Sequence, residues 1–103
     1  MSIIDLQKKI IENKMNKGFN TTDINKEFCL LYGEIAEAYD AWCKNKVGLG
    51  EELADVAIYL LGIAQIEGLD LGEEILKKIE INEKRKYKLS SNDVHIKVEN
   101  EDL

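Results

Sequence analysis

Apolar residues recur along this chain at helical spacing. Ile3, Ile4, Leu6, Ile10, Ile11 and Met15 form one stripe, which predicts a first helix over about residues 3–16. Ser2 can cap its start, and Lys17-Gly18 supplies its stop. A second helix is predicted over about residues 23–44, where Phe28, Leu31, Ile35, Ala38 and Trp42 keep the spacing and Thr21 or Thr22 offers a cap. The segment KNKVGLG, with two glycines and no periodicity, breaks it. A third helix follows over about residues 51–67 and ends at Gly68. Asp70 and Glu73 make a D-x-x-E start to a fourth, which runs to about residue 88 with Leu71, Ile75, Ile79 and Tyr87 inward.

Beyond residue 88 the chain reads LSSNDVHIKVENEDL and loses the stripe. The expectation is one helical domain over residues 1–88 and an acidic, loosely ordered tail over 89–103, with a short strand at VHIKV as the alternative. No repeat at solenoid spacing occurs.

Composition narrows the function. The chain has 103 residues and no proline, with just under half of them hydrophobic, so its core is modest. Helical chains of this size often gain stability by pairing with a copy of themselves. The net charge of -6 argues against a nucleic-acid partner, which calls for a basic face. The start MSIIDLQKKII lacks the basic and apolar parts of a signal peptide. The apolar run over residues 53–64 is too short to span a bilayer and contains Asp55, so a cytoplasmic protein without a membrane partner is expected. Cys29 and Cys43 would lie about 21 Å apart on one helix, beyond disulfide reach, and are expected to be reduced packing residues.

The chemistry is carried by carboxylates. Glu34 and Glu37 are three residues apart on the second helix, and Glu52 and Asp55 three apart on the third. Each helix presents a pair one turn apart, and antiparallel packing through a short loop would let the pairs meet. Each pair alone fits a solvated helix face. The small and apolar neighbours, Ile35, Ala36 and Ala38 around one pair and Leu53, Ala54, Val56 and Ala57 around Asp55, favour a site. Converging carboxylates repel unless compensated, and hard divalent cations such as Mg²⁺ or Mn²⁺ remove the problem. Two acidic pairs suit one to three such ions. A di-iron bundle needs Glu-x-x-His on two helices and a zinc hydrolase needs histidines, whereas the single histidine is His95, in the tail. No Ser or Cys has a neighbouring His to activate it, and no Walker-type phosphate loop is present.

The arrangement Glu34-Ile-Ala-Glu37, fourteen residues, then Glu52-Leu-Ala-Asp55 resembles the signature of the all-α nucleoside triphosphate pyrophosphohydrolases. The wording GEIAEAYDAW and GEELADVAIYL looks most like the MazG-like branch. Residues 78–88, with Lys78, Asn82, Arg85 and Tyr87, are similar to the family's K-x-x-x-N-x-x-R-x-Y ending. Departures are Leu30 and Leu31 where many members carry a further acidic pair, Lys86 where a proline is common, and a short loop between helices two and three.

The resemblance implies an all-α bundle of four or five helices of the MazG and dimeric dUTPase type, completed by homo-oligomerisation as a dimer or tetramer. It implies Mg²⁺-dependent cleavage, with Mn²⁺ as a substitute, between the α and β phosphates of a nucleoside triphosphate, as in nucleotide-pool sanitation. Its metal ligands fall on Glu34, Glu37, Glu52 and Asp55, with Glu34 or Glu37 also orienting the attacking water. Asn82, Arg85 and Lys88 are candidates for the phosphates or sugar, set against a plain role as helix-end polar residues. Lys44 and Lys46 are further phosphate candidates. Trp42 could stack on the base or serve as a core or interface aromatic. The competing readings are a non-catalytic helical module that binds a nucleotide or partner, and a pyrophosphohydrolase acting on phosphoribosyl-ATP.

Overall fold

The computed structural model describes residues 1–89 and 95–98, with side chains through Arg85. Four helices follow in order, α1 (Ile3–Asn16), α2 (Ile24–Cys43), α3 (Leu49–Ile66) and α4 (Leu71–Lys84). Helices thus build the domain, as expected. A small antiparallel ribbon follows, β1 (Lys86–Leu89) and β2 (His95–Val98), with Lys86 opposite Val98 and Leu89 opposite His95. The chain divides into two compact units, Met1–Gly72 and Glu73–Leu103.

Local chemistry explains most helix ends. Ser2 and Asp5 form a reciprocal cap on α1: the Asp5 amide donates to Ser2 Oγ at 3.3 Å, and the Ser2 amide donates to Asp5 Oδ2 at 3.1 Å. Gly18 (φ 70°) stops α1 with the Phe19 amide on the Lys14 carbonyl at 2.8 Å, and Gly68 (φ 71°) stops α3 with the Leu69 amide on the Ala64 carbonyl at 2.8 Å. The cap of α2 is Asp23, which accepts from the Lys26 amide at 3.1 Å, and not Thr21 or Thr22. Asn20 fixes this entry by accepting from the Asp23 amide at 3.1 Å.

The fourth helix stops at Lys84, short of residue 88. The alternating segment Lys-Tyr-Lys-Leu finds a strand partner in His-Ile-Lys-Val, and β-pairing outweighs the weak helical signal there. The strand alternative for the tail is therefore the one found at His95–Val98, while the expected tail's other residues, 90–94 and 99–103, lie outside the described ones. The α4 side chains expected inward, Ile75 and Ile79, are exposed.

In the first unit α3 packs against both α1 and α2. The inward stripe of α2 is Glu27, Leu31, Glu34, Ala38 and Ala41, all buried except the half-buried Glu34. The inward stripe of α3 is Glu52, Val56, Tyr59, Ile63 and Ile66. Both repeat at alternating steps of four and three, as helices packed side by side require. This corrects the expected α2 stripe. Leu31 and Ala38 face inward, but Phe28, Ile35 and Trp42 are 44%, 48% and 54% exposed. They share a second stripe, one residue out of phase, with Tyr32 and Tyr39. Leu53, Ala57 and Leu60 make the corresponding exposed stripe on α3. Cys29 and Cys43 are free, but they are exposed and not packed.

Gln7 joins the elements of this unit and is fully buried. Its Nε2 donates to the Leu69 carbonyl at 2.7 Å and to Gln65 Oε1 at 3.1 Å, and its Oε1 accepts from the Leu71 amide at 2.9 Å. One side chain thereby holds the end of α3 and the start of α4 against α1. Replacing it by leucine keeps volume but strands a buried carbonyl and amide. Gln7→Leu should cost about 2–4 kcal/mol of unfolding free energy in urea titrations; a loss below about 0.5 kcal/mol would contradict this role.

Candidate functional site

The turn between α2 and α3 reverses the chain, so the two acidic pairs meet. Carboxylate oxygens of Glu34, Glu37 and Glu52 lie within 4.8 Å of one another. Asp55 stands outside that triangle, yet its charge acts on both Glu34 and Glu52. Among the described residues no ion pair reaches any of the four. Glu34 Oε2 and Glu52 Oε2 are shielded from solvent and face no hydrogen-bond donor.

This crowding shifts protonation. Desolvation, then the charge of Glu37, pushes the Glu34 carboxyl above its ordinary value. The Glu52 carboxyl is pushed up by desolvation, then by the charges of Glu37 and Asp55. The expectation that Asp55 is a carboxylate hemmed in by apolar groups is not met. Asp55 is exposed, as are Leu53, Ala54 and Ala57, and the sealed oxygens belong to Glu34 and Glu52.

Sequence reasoning missed a second charged cluster. Glu27, fully buried, pairs with Lys14 of α1 and accepts from Asn20 Nδ2 at 3.0 Å. Lys14 Nζ also lies 5.2 Å from the Tyr59 ring centre. Burial, then the charges of Glu27, Glu34 and Asp55, pushes the Tyr59 phenol upward, so its hydroxyl stays a donor at neutral pH. A cavity of about 260 Å³ opens here, walled by Ile10, Phe19, Ile58 and Tyr59 with Lys14 at its edge. The available signal was positional: Glu27 precedes Glu34 by seven residues and so shares its helix face.

The remaining candidates are spread out. Trp42 stacks on Tyr39, ring centres 6.1 Å apart, on the exposed stripe. A separate cavity of about 540 Å³ beside the carboxylates is lined by Glu37, Asp40, Lys44, Val47 and Glu52, without Trp42. In the second unit Arg85 Nη1 donates to Asn82 Oδ1 at 3.2 Å, while Arg85 Nε is shielded and has no acceptor. Lys88 lies on β1, and its side chain is outside the described ones.

Over 94 residues the chain is 34% identical to a dATP/dGTP diphosphohydrolase of Salmonella phage PMBT28. The match covers 91% of this chain but 31% of that relative, so the chain spans about a third of its length. No protein-family profile and no solved structure matches the chain. No helix among the described residues is long and apolar enough to cross a membrane.

The raised carboxyls set a pH dependence. Glu34 and Glu52 bind protons more tightly folded than unfolded, so folding takes up protons as their repulsion is relieved. This stabilisation is complete below the ordinary glutamate value and is lost as pH rises through the raised values. In EDTA the melting temperature should therefore be higher near pH ~5.5 than near pH ~7.5. The opposite order in metal-free buffer would remove the carboxylate cluster as a source of strain.

Proposed function

We propose that this chain is a cation-dependent hydrolase of phosphoric anhydrides. More specifically, we read it as a MazG-like pyrophosphohydrolase that cuts nucleoside triphosphates between the α and β phosphates, serving nucleotide-pool sanitation. The observation that carries this reading is the meeting of Glu34, Glu37 and Glu52 with two sealed oxygens and, among the described residues, no cation paired with them. An all-oxygen, anionic donor set of this kind fits Mg²⁺ or Mn²⁺. The name of the phage relative supports the choice of a triphosphate and makes dATP and dGTP the first substrates to test.

The chain's residues then divide the work. Glu34, Glu37, Glu52 and Asp55 would hold Mg²⁺, which would supply their counter-charge. When bound, such ions neutralise phosphate oxygens and acidify an attacking water. Glu34 or Glu37 orients that water and takes its proton; for Glu34 the upward push on its carboxyl makes it a better base at neutral pH. The aromatic-walled cavity at Phe19 and Tyr59 offers a flat nucleoside a surface to stack on. Asn82 and Arg85 enter as phosphate-binding residues on the strength of the resemblance, while Lys88, expected beside Arg85 on one helix, falls on β1 because α4 ends at Lys84.

The exposed stripes support a homo-oligomer, dimer or tetramer. Phe28, Tyr32, Ile35, Tyr39 and Trp42 on α2, with Leu53 and Leu60 on α3, form rows of large apolar side chains at bundle spacing. A second copy would bury them, and Trp42 then takes the interface role.

The protein incubated with Mg²⁺ and each NTP or dNTP should release pyrophosphate and the monophosphate. Glu37→Gln and Asp55→Asn should lower kcat/KM by at least about 100-fold with helix content unchanged by circular dichroism, the upper end of what supporting groups around a metal contribute. No pyrophosphate from any triphosphate with either metal would refute the enzyme reading. Separately, calorimetry should show specific Mn²⁺ binding that Glu34→Gln weakens; a flat titration would favour a non-catalytic module.

A further inference from the structure

The cavity beside Glu37 and Glu52 has a direction. It runs over the small side chains Ala36 and Ala41 to Asp40, Lys44 and Val47, at the turn that joins α2 to α3. Lys44 is the cation on its lining, and it follows Glu37 by seven residues, about 10 Å along the helix. On α3, Tyr59 lies four residues past Asp55, away from the turn. Because the two helices are antiparallel, the carboxylates stand between an aromatic-walled cavity on one side and Lys44 on the other.

We propose that Lys44 receives the β and γ phosphates of the substrate and then the departing pyrophosphate, so that the substrate lies along α2 with its nucleoside toward Tyr59. The assignment rests on the pyrophosphohydrolase reading and adds an orientation to it. Lys44 Nζ pairs with Asp40 Oδ2 at 3.0 Å, with both side chains largely exposed, 75% and 62%. An exposed pair of this kind is weak, so a polyphosphate can displace Asp40. Lys44 is free to turn because it follows the last residue of α2. The turn that follows has a left-handed backbone. Asn45 and Lys46 have φ of 67° and 66°, and the Lys46 amide closes the helix end on the Ala41 carbonyl at 2.9 Å. The ammonium thus stands at the mouth of the cavity.

The step itself is hydrolysis. Water oxygen bonds to the α phosphorus as one of its protons passes to Glu34 or Glu37, the bond from that phosphorus to the bridging oxygen breaks, and the bridging oxygen leaves with the pyrophosphate and its electron pair. Lys44 accompanies that leaving group and exchanges no proton in the proposal.

The test is product inhibition in the full chain with saturating Mg²⁺. Lys44→Met should weaken inhibition by inorganic pyrophosphate about tenfold and raise KM for the triphosphate by a similar factor, the size of one lost charge-assisted hydrogen bond. Inhibition by the nucleoside monophosphate should stay within about twofold, and Lys44→Arg should restore most of the pyrophosphate effect. A merely structural role for Lys44 would move both inhibitors together. Equal shifts for the two products, or an unchanged pyrophosphate inhibition with normal turnover, would overturn the Lys44 assignment and leave the enzyme reading standing. Absence of any wild-type turnover would overturn that reading and the assignment with it.

Discussion

Carboxylate repulsion at the α2–α3 contact is the constraint around which the first unit is arranged. Two helices that pack side by side bring their inward stripes within a few ångströms, and here both stripes carry glutamate where a bundle usually carries leucine. Glu34 and Glu52 lie half-buried with a shielded oxygen each, and Glu37 adds its charge to both. Burial and like charge push in the same direction, toward protonation. The fold sustains this because buried apolar residues flank the cluster, Leu31 before it on α2 and Ala38 and Ala41 after it. Leu31, Ala38, Ala41, Ile63 and Ala64 form the core, and Gln7 ties α1 to the end of α3 through three hydrogen bonds.

The same helices carry a second seam. Shifted by one residue, Phe28, Tyr32, Ile35, Tyr39 and Trp42 repeat at the steps of the inward stripe but face outward. A helix with two apolar or mixed seams suits a bundle in which it touches neighbours on both sides. This accounts for the modest core of the chain. It also explains why hydrophobicity alone chose the wrong side of α2, since the strongest apolar stripe is the one that the chain leaves uncovered.

How much was legible follows from the range of each interaction. Helix ends decided by one residue were read directly: Ser2 as cap, Gly18 and Gly68 as stops. The Asp23 cap was missed because Thr21 and Thr22 are equally good capping residues, and the choice falls to Asn20, whose side chain grips the Asp23 amide. The end of α4 depended on a partner strand across a gap in sequence, which no local pattern reports. The meeting of Glu34, Glu37 and Glu52 was visible in three-residue spacing, since helical geometry turns spacing into a shared face. Their relative burial was not visible. Asp55 drew attention because its sequence neighbours are apolar, but those neighbours are themselves exposed, and a carboxylate is confined by what faces it across the helix contact.

Glu27 offers the control for that last point. It lies on the inward stripe of α2, seven residues before Glu34, and is the more deeply buried of the two. Its charge is met within the chain by Lys14 and Asn20. Glu34, on the same helix and the same face, has Glu37 and Glu52 as its neighbours, and no cation of the first unit forms an ion pair with it. A sequence that supplies a lysine for one buried glutamate is able to supply one for another. Glu27 is compensated within the fold, whereas the cluster around Glu34 has no paired cation among the described residues; under the proposed function that is where a divalent cation would bind. Lys44 fits the same logic from the other direction. It lines the cavity that Glu37 and Glu52 share, yet it pairs with Asp40 and, among the described residues, not with the cluster.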